Sequence, residues 1–145
     1  GTTRQYVPLE WPALADFSVT TALYEATQAK IQKNKQENTH SEQQALVGVV
    51  HSKDAFYAEE PEFLPNAQLW EAKWEAWRRM GCLCTEMEAA TLFTIAQMHR
   101  VKAGAILSVI GETHDGEVKI GKVSSKDAII CALEAIYSLA QKDQA

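Results

Sequence analysis

The stretch GCLCTEMEAATLFTIAQMHR, residues 81–100, governs how the rest of the chain is interpreted. Two carboxylates, Glu86 and Glu88, flank Met87 and stand directly before apolar residues at helical spacing, which predict a buried helix. The predicted apolar stripe consists of Ala89, Leu92, Phe93, Ile95, Ala96 and Met98. Carboxylates in the first turn of a helix lie near the positive end of its dipole, so we expect both to be ionised and held in fixed directions.

These two carboxylates allow two interpretations. A carboxylate only accepts hydrogen bonds, whereas a vicinal diol has two hydroxyls to donate, so a rigid pair of acceptors suits a sugar with neighbouring hydroxyl groups. Acidic residues are also ordinary at the start of a helix, where they need no ligand. Residues 81–100 alone leave both interpretations open.

Two apolar runs on either side of this helix predict strands. Residues 45–51 (ALVGVVH) and 103–110 (AGAILSVI) are short and apolar, and many of their side chains are β-branched. Such runs are typical of strands that are buried on both faces of a parallel sheet. Residues 111–116 follow the second run as a turn-rich loop. Strands that alternate with helices indicate an α/β fold, with the element order αβααβα in one unit.

Three further helices are predicted by their caps and apolar spacing. The first follows Asp16 or Ser18, the second covers residues 68–80, and the last follows Ser124 or Ser125. The predicted apolar face of the last helix consists of Ala128, Ile129, Ala132, Leu133, Ile136 and Leu139. The polar segment 33–44 predicts a solvated loop or a frayed helix end.

Composition excludes several classes of function. The 145-residue chain carries a net charge of −5, which argues against a general role in binding nucleic acid or another polyanion. Three cysteines form an odd set, and Cys82 and Cys84 lack a second pair at zinc-ligand spacing, so we interpret them as small buried residues. No apolar run approaches membrane-spanning length, so no membrane partner is expected.

Residues 86–93 (EMEAATLF) resemble the E-M-E-[SA]-A helix of the nucleoside phosphorylases, and of the uridine phosphorylases in particular. Other blocks resemble the same family in the same order and spacing, so that the resemblance extends over nearly the whole chain. These blocks are GTT at 1–3, PLEWPALADF at 8–17, KDAFY at 53–57, WEAW at 74–77 and GAILSVI at 104–110.

The resemblance implies a three-layer α/β/α fold with a mixed central sheet, to which residues 1–145 contribute the carboxyl-terminal part as a single domain. The amino-terminal strands of the family, its glycine-rich phosphate loop and its phosphate-binding arginines have no counterpart in this sequence. Two predicted strands are also fewer than a free-standing sheet needs. We therefore expect a fragment of a cleaved enzyme, or a chain whose amino-terminal half is a separate polypeptide.

The resemblance also implies roles for individual residues. Glu86, Met87 and Glu88 match the ribose-binding positions, where the carboxylate of Glu88 accepts hydrogen bonds from the ribose hydroxyls. Phe56 matches a phenylalanine that packs against base and sugar, and Ile110 matches an aliphatic residue of the base pocket. A core aromatic at 56 and a buried strand residue at 110 are the alternatives that the sequence leaves open.

The implied chemistry is phosphorolysis, in which a nucleoside and phosphate give free base and ribose 1-phosphate through an oxocarbenium-like transition state. Inorganic phosphate is then the co-substrate, and neither a metal nor an organic cofactor is implied. Members of the family are homo-oligomers, commonly hexamers. We expect a cytoplasmic enzyme of nucleoside salvage.

One departure from the family concerns the base. Uridine phosphorylases follow their F-Y pair with a glutamine and an arginine that bind the uracil edge, whereas this chain has the acidic segment AEEPEF at 58–63, including Glu60. Purine-specific relatives place an aspartate after the second strand, and Glu112 stands close to that position. Glu60 and Glu112 are therefore further base-site candidates. A purine nucleoside phosphorylase and a non-catalytic family member remain alternatives to a uridine phosphorylase-like enzyme.

Overall fold

The computed structural model describes residues 2–37, 39, 43–59, 61–114, 117–120 and 124–142. Across these residues, α-helices span Phe17–Gln36 (α1), Ala67–Arg79 (α2), Ala89–Met98 (α3) and Lys126–Lys142 (α4). Strands span Val50–Ser52 (β1), Cys84–Glu86 (β2), Gly111–His114 (β3) and Glu117–Ile120 (β4). Short 3-10 helices cover Thr2–Gln5, Phe56–Glu59 and Pro61–Phe63. The α/β class predicted from the sequence is confirmed.

Contacts within the chain define two compact units. The first consists of residues 1–14 and 47–101, and the second of residues 15–46 and 102–145. The first unit contains α2, α3 and the parallel pair β1–β2, while the second contains α1, α4 and the antiparallel pair β3–β4. The assignment of residues 1–145 to one domain stays a prediction.

The parallel sheet of the first unit differs from the predicted strand over 45–51. Only Val50–Ser52 forms β1, and its partner β2 occupies residues that were predicted to lead into the helix. Upstream of β1, the side chains of Leu46, Val47 and Val49 are 73%, 59% and 70% exposed. The prediction of burial on both faces was therefore wrong here, because apolar character does not specify what lies against a strand.

Helix α2 confirms the predicted helix to within one residue at each end and stops at a glycine. Gly81 has a φ of 78°, a left-handed conformation that side chains disfavour. Its N–H donates to the Arg78 carbonyl at 3.0 Å, and the Cys82 N–H donates to the Trp77 carbonyl at 3.0 Å. This pair of bonds is the Schellman motif, and it turns the chain from α2 directly into β2.

Helix α3 begins three residues later than the first carboxylate. The sequence predicted both Glu86 and Glu88 in its first turn, but Glu86 is the last residue of β2 and Glu88 is the N-cap. Ala89, Phe93 and Ala96 are buried as expected. Leu92 and Met98, which were predicted to share that buried face, are 50% and 52% exposed.

The amino-terminal segment of the first unit is attached to α3. The indole Nε1 of Trp11 donates to Gln97 Oε1 at 2.8 Å, and Gln97 Nε2 donates to the Leu14 carbonyl at 3.2 Å. These bonds connect a proline-containing extended segment to the helix that starts at the candidate site.

In the second unit, α1 packs against α4. Asp16 caps α1 as predicted: its carboxylate accepts from the Ser18 hydroxyl at 2.5 Å and from the Val19 N–H at 3.1 Å, and these bonds hold the pKa of Asp16 below its usual range. The helix continues to Gln36, so the first residues of the polar segment 33–44 form a helix end, which was one of its two predicted states.

The face of α4 that is buried is not the predicted one. Cys131 and Ala135 are 3% and 1% exposed, whereas Ile129, Leu133 and Ile136 are 57–63% exposed. The buried residues are small, as is Ala22 on α1, and small side chains allow two helices to approach closely. Large aliphatic residues at helical spacing therefore predicted the helix correctly and its packed side wrongly.

The second predicted strand, residues 103–110, does not form. The next strand, β3, begins instead at Gly111, where a loop was predicted. Strands β3 and β4 form an antiparallel pair with Gly111 opposite Ile120. Residues 115 and 116 of the predicted loop lie outside the described part of the chain. No helix in the described ranges combines the length and the apolar character needed to cross a membrane.

Candidate nucleoside site

The candidate residues of the first unit follow the carboxyl ends of its two parallel strands. Ser52 ends β1 and lies opposite Glu86, which ends β2. Phe56 comes four residues after the end of β1, and Met87 and Glu88 come directly after the end of β2. Open α/β sheets bind their ligands at this edge. The parallel pairing thus places the segment that leads to Phe56 and the turn that contains Met87 and Glu88 after the same edge of the sheet.

The side chain of Glu86 is turned inward onto its own chain. Its Oε2 accepts from the backbone N–H groups of Glu88 at 2.7 Å and Ala89 at 2.6 Å, while Oε1 accepts from the hydroxyl of Ser52. The N–H groups at a helix start have no partner within the helix, and here the carboxylate supplies one. Glu86 therefore holds the strand-to-helix turn in shape.

These bonds also determine the charge of Glu86. Burial raises the pKa of its carboxyl, but the hydrogen bonds from Ser52, Ala89 and Glu88 together outweigh burial and hold that pKa below its usual range. Glu86 is thus ionised at neutral pH, as the sequence predicted, although the charge is directed into the turn.

Ser52 is a site residue that sequence reasoning missed. Its Oγ donates to Glu86 and also accepts from the Ala90 N–H at 2.9 Å, so one hydroxyl joins β1, β2 and α3. The adjacent Lys53 N–H donates to the Glu86 carbonyl at 2.8 Å and extends the pairing of the strands. Only the register of β1 against β2 identifies this serine.

Glu88 and Met87 lie on the outer side of the same turn. Both are exposed, Met87 at 40%, and the Oε2 of Glu88 accepts from the Met87 N–H at 3.2 Å. As the N-cap of α3, Glu88 carries its carboxylate at the positive end of the helix dipole. A carboxylate with remaining lone pairs and an exposed thioether next to it suit a sugar ring that has hydroxyls on one side.

Phe56 presents an aromatic surface near this edge. Its ring is 59% exposed and is packed edge-on against Tyr57, with ring centroids 5.6 Å apart. The Nζ of Lys53 lies 4.9 Å from the centroid of the Phe56 ring and 3.4 Å from the Thr85 hydroxyl. Sequence reasoning also missed Lys53, which places a positive charge beside the predicted base-binding aromatic.

A hollow of about 560 Å³ is lined in part by residues 51–55, which end β1 and follow it. Its lining includes the tryptophans of α2, among them Trp77, whose ring stacks on His51 at 3.7 Å between centroids. Burial in this cluster lowers the pKa of His51. Ser52 and Lys53 line the hollow, whereas Phe56, Glu86, Met87 and Glu88 do not, so the hollow borders the candidate site at the end of β1.

The structure does not test the remaining base-site candidates. Ile110 belongs to the second unit and is 66% exposed rather than buried in a strand. Glu112 lies in β3, where its backbone is opposite Lys119. Glu60 lies outside the described residues. Their base-binding roles stay predictions, as do the ligand contacts of the other site residues.

In the described ranges, no group of three or more His, Cys, Asp or Glu side chains could hold a metal ion. That a reaction at this site needs no cofactor stays a prediction. The chemistry that the described groups offer is hydrogen-bond acceptance by the exposed Glu88 carboxylate, apolar contact with the Phe56 ring, and the nearby Lys53 ammonium.

Comparison with known proteins gives a consistent result. The sequence profile of the Phosphorylase superfamily matches residues 1–136. A uridine phosphorylase of Treponema pallidum (strain Nichols) is 36% identical over 99% of this chain and 53% of its own length. A uridine phosphorylase of Thermococcus kodakarensis is 31% identical over 99% of this chain and 48% of its own length. A guanosine phosphorylase of Halorubrum lacusprofundi is 33% identical over 82% of this chain and 41% of its own length. The chain thus spans about half the length of the curated relatives that it matches.

Proposed function

Because this chain belongs to the Phosphorylase superfamily, we propose that it supplies the nucleoside-binding part of a nucleoside phosphorylase. The reaction is phosphate-dependent cleavage of the N-glycosidic bond, which yields a free base and ribose 1-phosphate. The observation that carries the proposal is that the two glutamates at the turn after β2 have different surroundings. Glu86 is engaged by three internal hydrogen bonds, whereas Glu88 and Met87 are exposed at the start of α3.

This arrangement suits the ribose of a nucleoside. The Glu88 carboxylate accepts hydrogen bonds from the ribose hydroxyls, Met87 lies under the apolar side of the ring, and Phe56 packs against the base. In an oxocarbenium-like transition state the ribose gains positive charge, which a carboxylate fixed close to the ring stabilises more than it stabilises the neutral sugar. Glu88 then contributes to rate as well as to binding.

The complete enzyme, meaning the assembly in which this chain is active, needs more than these residues. We propose that an amino-terminal half, on the same or a separate polypeptide, binds the phosphate co-substrate. The shorter span of this chain relative to its relatives motivates this proposal, as do the exposed apolar side chains of 46–49 and of α4. We further propose a cytoplasmic homo-oligomer, with a hexamer as the family's common form.

The base that is cleaved is proposed from the relatives and the sequence together. Uridine phosphorylases among the relatives favour uridine. Purine nucleosides are a second candidate, because the acidic segment 58–63 replaces the glutamine and arginine of uridine phosphorylases, and because a guanosine phosphorylase is also a relative. Glu112, near the position of the purine-binding aspartate, would accept from a purine N–H or amine.

We expect the complete enzyme to cleave uridine with a kcat/KM about tenfold to a hundredfold below that of the Treponema pallidum relative. Uracil presents two carbonyl acceptors, and ionised glutamates supply no donors to them. Each buried unpaired group costs about 1–3 kcal/mol, which corresponds to that loss. Phosphorolysis rates for uridine, inosine, guanosine and adenosine, measured side by side on both enzymes, test this.

Two outcomes of that comparison would correct the proposal. A preference for uridine over the purine nucleosides by a hundredfold or more would exclude the purine candidate and show that other groups donate to the uracil carbonyls. Absence of cleavage for every nucleoside, in an assembly that binds phosphate, would instead identify a non-catalytic member of the family.

A further inference from the structure

The hydroxyl of Ser52 occupies the junction of three elements. It donates to Glu86 Oε1 across the strand pair and accepts from the Ala90 N–H in the first turn of α3. No role follows from its place in the sequence, since serine is common at strand ends. In space, however, this hydroxyl links the strand that leads to Phe56 with the helix that starts at Glu88.

The turn is held by bonds within itself and by bonds from β1 and the residue that follows it. One of the latter is a backbone bond, from the Lys53 N–H to the Glu86 carbonyl at 2.8 Å. Within the described residues, the Glu86 carboxylate has one bond from Ser52 and two from N–H groups of the turn itself, Glu88 and Ala89. The two backbone bonds move with the turn, whereas Ser52 belongs to β1. The hydroxyl of Ser52 therefore makes the side-chain bond that holds the Glu86 carboxylate in place relative to β1, and through the carboxylate it holds the turn.

We propose that Ser52 is a positioning residue that sets how well the site selects a ribose with both hydroxyls over a 2′-deoxyribose. This inference rests on the proposed function. Ser52 does not touch the substrate in this proposal; it acts through Glu86 on the direction of Glu88. A carboxylate must meet two hydroxyls at once to gain from both, and this is possible only when its position is fixed.

Loss of the Ser52 hydroxyl changes several contacts together. Glu86 loses a donor and the Ala90 N–H loses its acceptor, so the turn gains freedom to shift against β1. A ribonucleoside then loses part of its paired hydrogen bonding to Glu88. A 2′-deoxynucleoside, which has only one of the two hydroxyls, has less to lose.

The test uses Ser52→Ala and Ser52→Thr in the complete enzyme. The readout is the ratio of kcat/KM for the best ribonucleoside to that for its 2′-deoxy counterpart. For Ser52→Ala we expect kcat/KM for the ribonucleoside to fall about tenfold, which is the lower end of the effect of losing a hydrogen bond to a charged group. The value for the deoxynucleoside should fall by less than threefold, roughly, because half of the paired contact is already absent. Ser52→Thr keeps the hydroxyl and should restore the ratio.

This ratio separates positioning from a purely structural role. A variant that only folds less completely lowers the active fraction equally for both substrates, and the ratio does not change. If kcat/KM fell by the same factor for both nucleosides in Ser52→Ala, so that the ratio stayed unchanged, the positioning role would be overturned while the proposed function stands. A wild-type enzyme that cleaves no nucleoside would contradict both the function and the role that depends on it.

A second measurement does not depend on turnover. The carboxyl pKa of Glu86, followed by NMR titration, should rise in Ser52→Ala toward its usual range, because a donor to the ionised form is removed. It should remain low in Ser52→Thr. An unchanged Glu86 pKa in Ser52→Ala would show that the hydroxyl does not hold the carboxylate, and the proposal would fail.

Discussion

Replacing Glu88 by glutamine in the complete enzyme should lower kcat/KM for nucleoside phosphorolysis by about tenfold to a hundredfold. Glutamine has nearly the same shape but carries no charge, so it loses the charge-assisted bonds to the ribose hydroxyls and the stabilisation of a positive transition state. A hydrogen bond to a charged group contributes about 1.5–3 kcal/mol, which corresponds to the expected loss. Steady-state kinetics on the preferred nucleoside measure the effect.

A matched control for this change is Glu134→Gln on α4. Glu134 is also an exposed glutamate, and no ligand role is assigned to it. This variant should retain the wild-type kcat/KM. If Glu88→Gln were as active as Glu134→Gln, the carboxylate would not contact the ribose, and the site assignment at the start of α3 would be wrong.

Replacing Glu86 by alanine should instead lower the free energy of unfolding, by about 2–4 kcal/mol. The variant removes an ionised acceptor of three hydrogen bonds and leaves the Glu88 and Ala89 N–H groups at the helix start without their partner. Loss of a helix cap costs about 0.5–2 kcal/mol, and loss of a bond to a charged group costs about 1.5–3 kcal/mol. Chemical denaturation of both proteins gives the difference.

Glu88→Gln serves as the comparison. The exposed Glu88 side chain makes no cap hydrogen bond, so this variant loses the interaction of one charge with the helix dipole, about 0.3–1 kcal/mol. We thus expect Glu86→Ala to lower mainly the free energy of unfolding, and Glu88→Gln to lower mainly kcat/KM. Equal stability of Glu86→Ala and Glu88→Gln would contradict the inward orientation of Glu86.

The contribution of Glu86 to stability should also depend on pH. Its pKa in the folded protein is lowered, so its contribution to stability is fully present above the pKa of an unfolded glutamate, ~4.3, and is lost as pH falls through the lower folded value. The difference in stability between wild type and Glu86→Ala should therefore shrink on acidification below about pH 4.

Local signals in the sequence predicted the helices and the helix start at which two residues of the candidate site lie. Helical spacing identified α2 and α4, Asp16 identified the start of α1, and the motif EMEAA placed Glu88 and Met87 at a helix start. The family resemblance, which rests on this motif and the other matching blocks, is confirmed by the superfamily match over residues 1–136. These features depend on neighbours within a few residues, which a sequence displays directly.

Features that depend on distant partners were not predicted. Strand β2 is three residues long and exists through its pairing with β1, so neither its length nor its pattern distinguishes it. The apolar runs 45–49 and 103–110 have the composition of strands but no strand assignment, because a strand needs a hydrogen-bonded neighbour. Ser52 acquires its role only from the register that sets it opposite Glu86.

The most direct test of the central claim is to identify the sugar product of the complete enzyme with the preferred nucleoside. Phosphorus NMR in the presence of inorganic phosphate should show ribose 1-phosphate formed in step with free base, and no base should form when phosphate is omitted. Release of base and free ribose at the same rate without phosphate would show hydrolysis, and would contradict a phosphorylase.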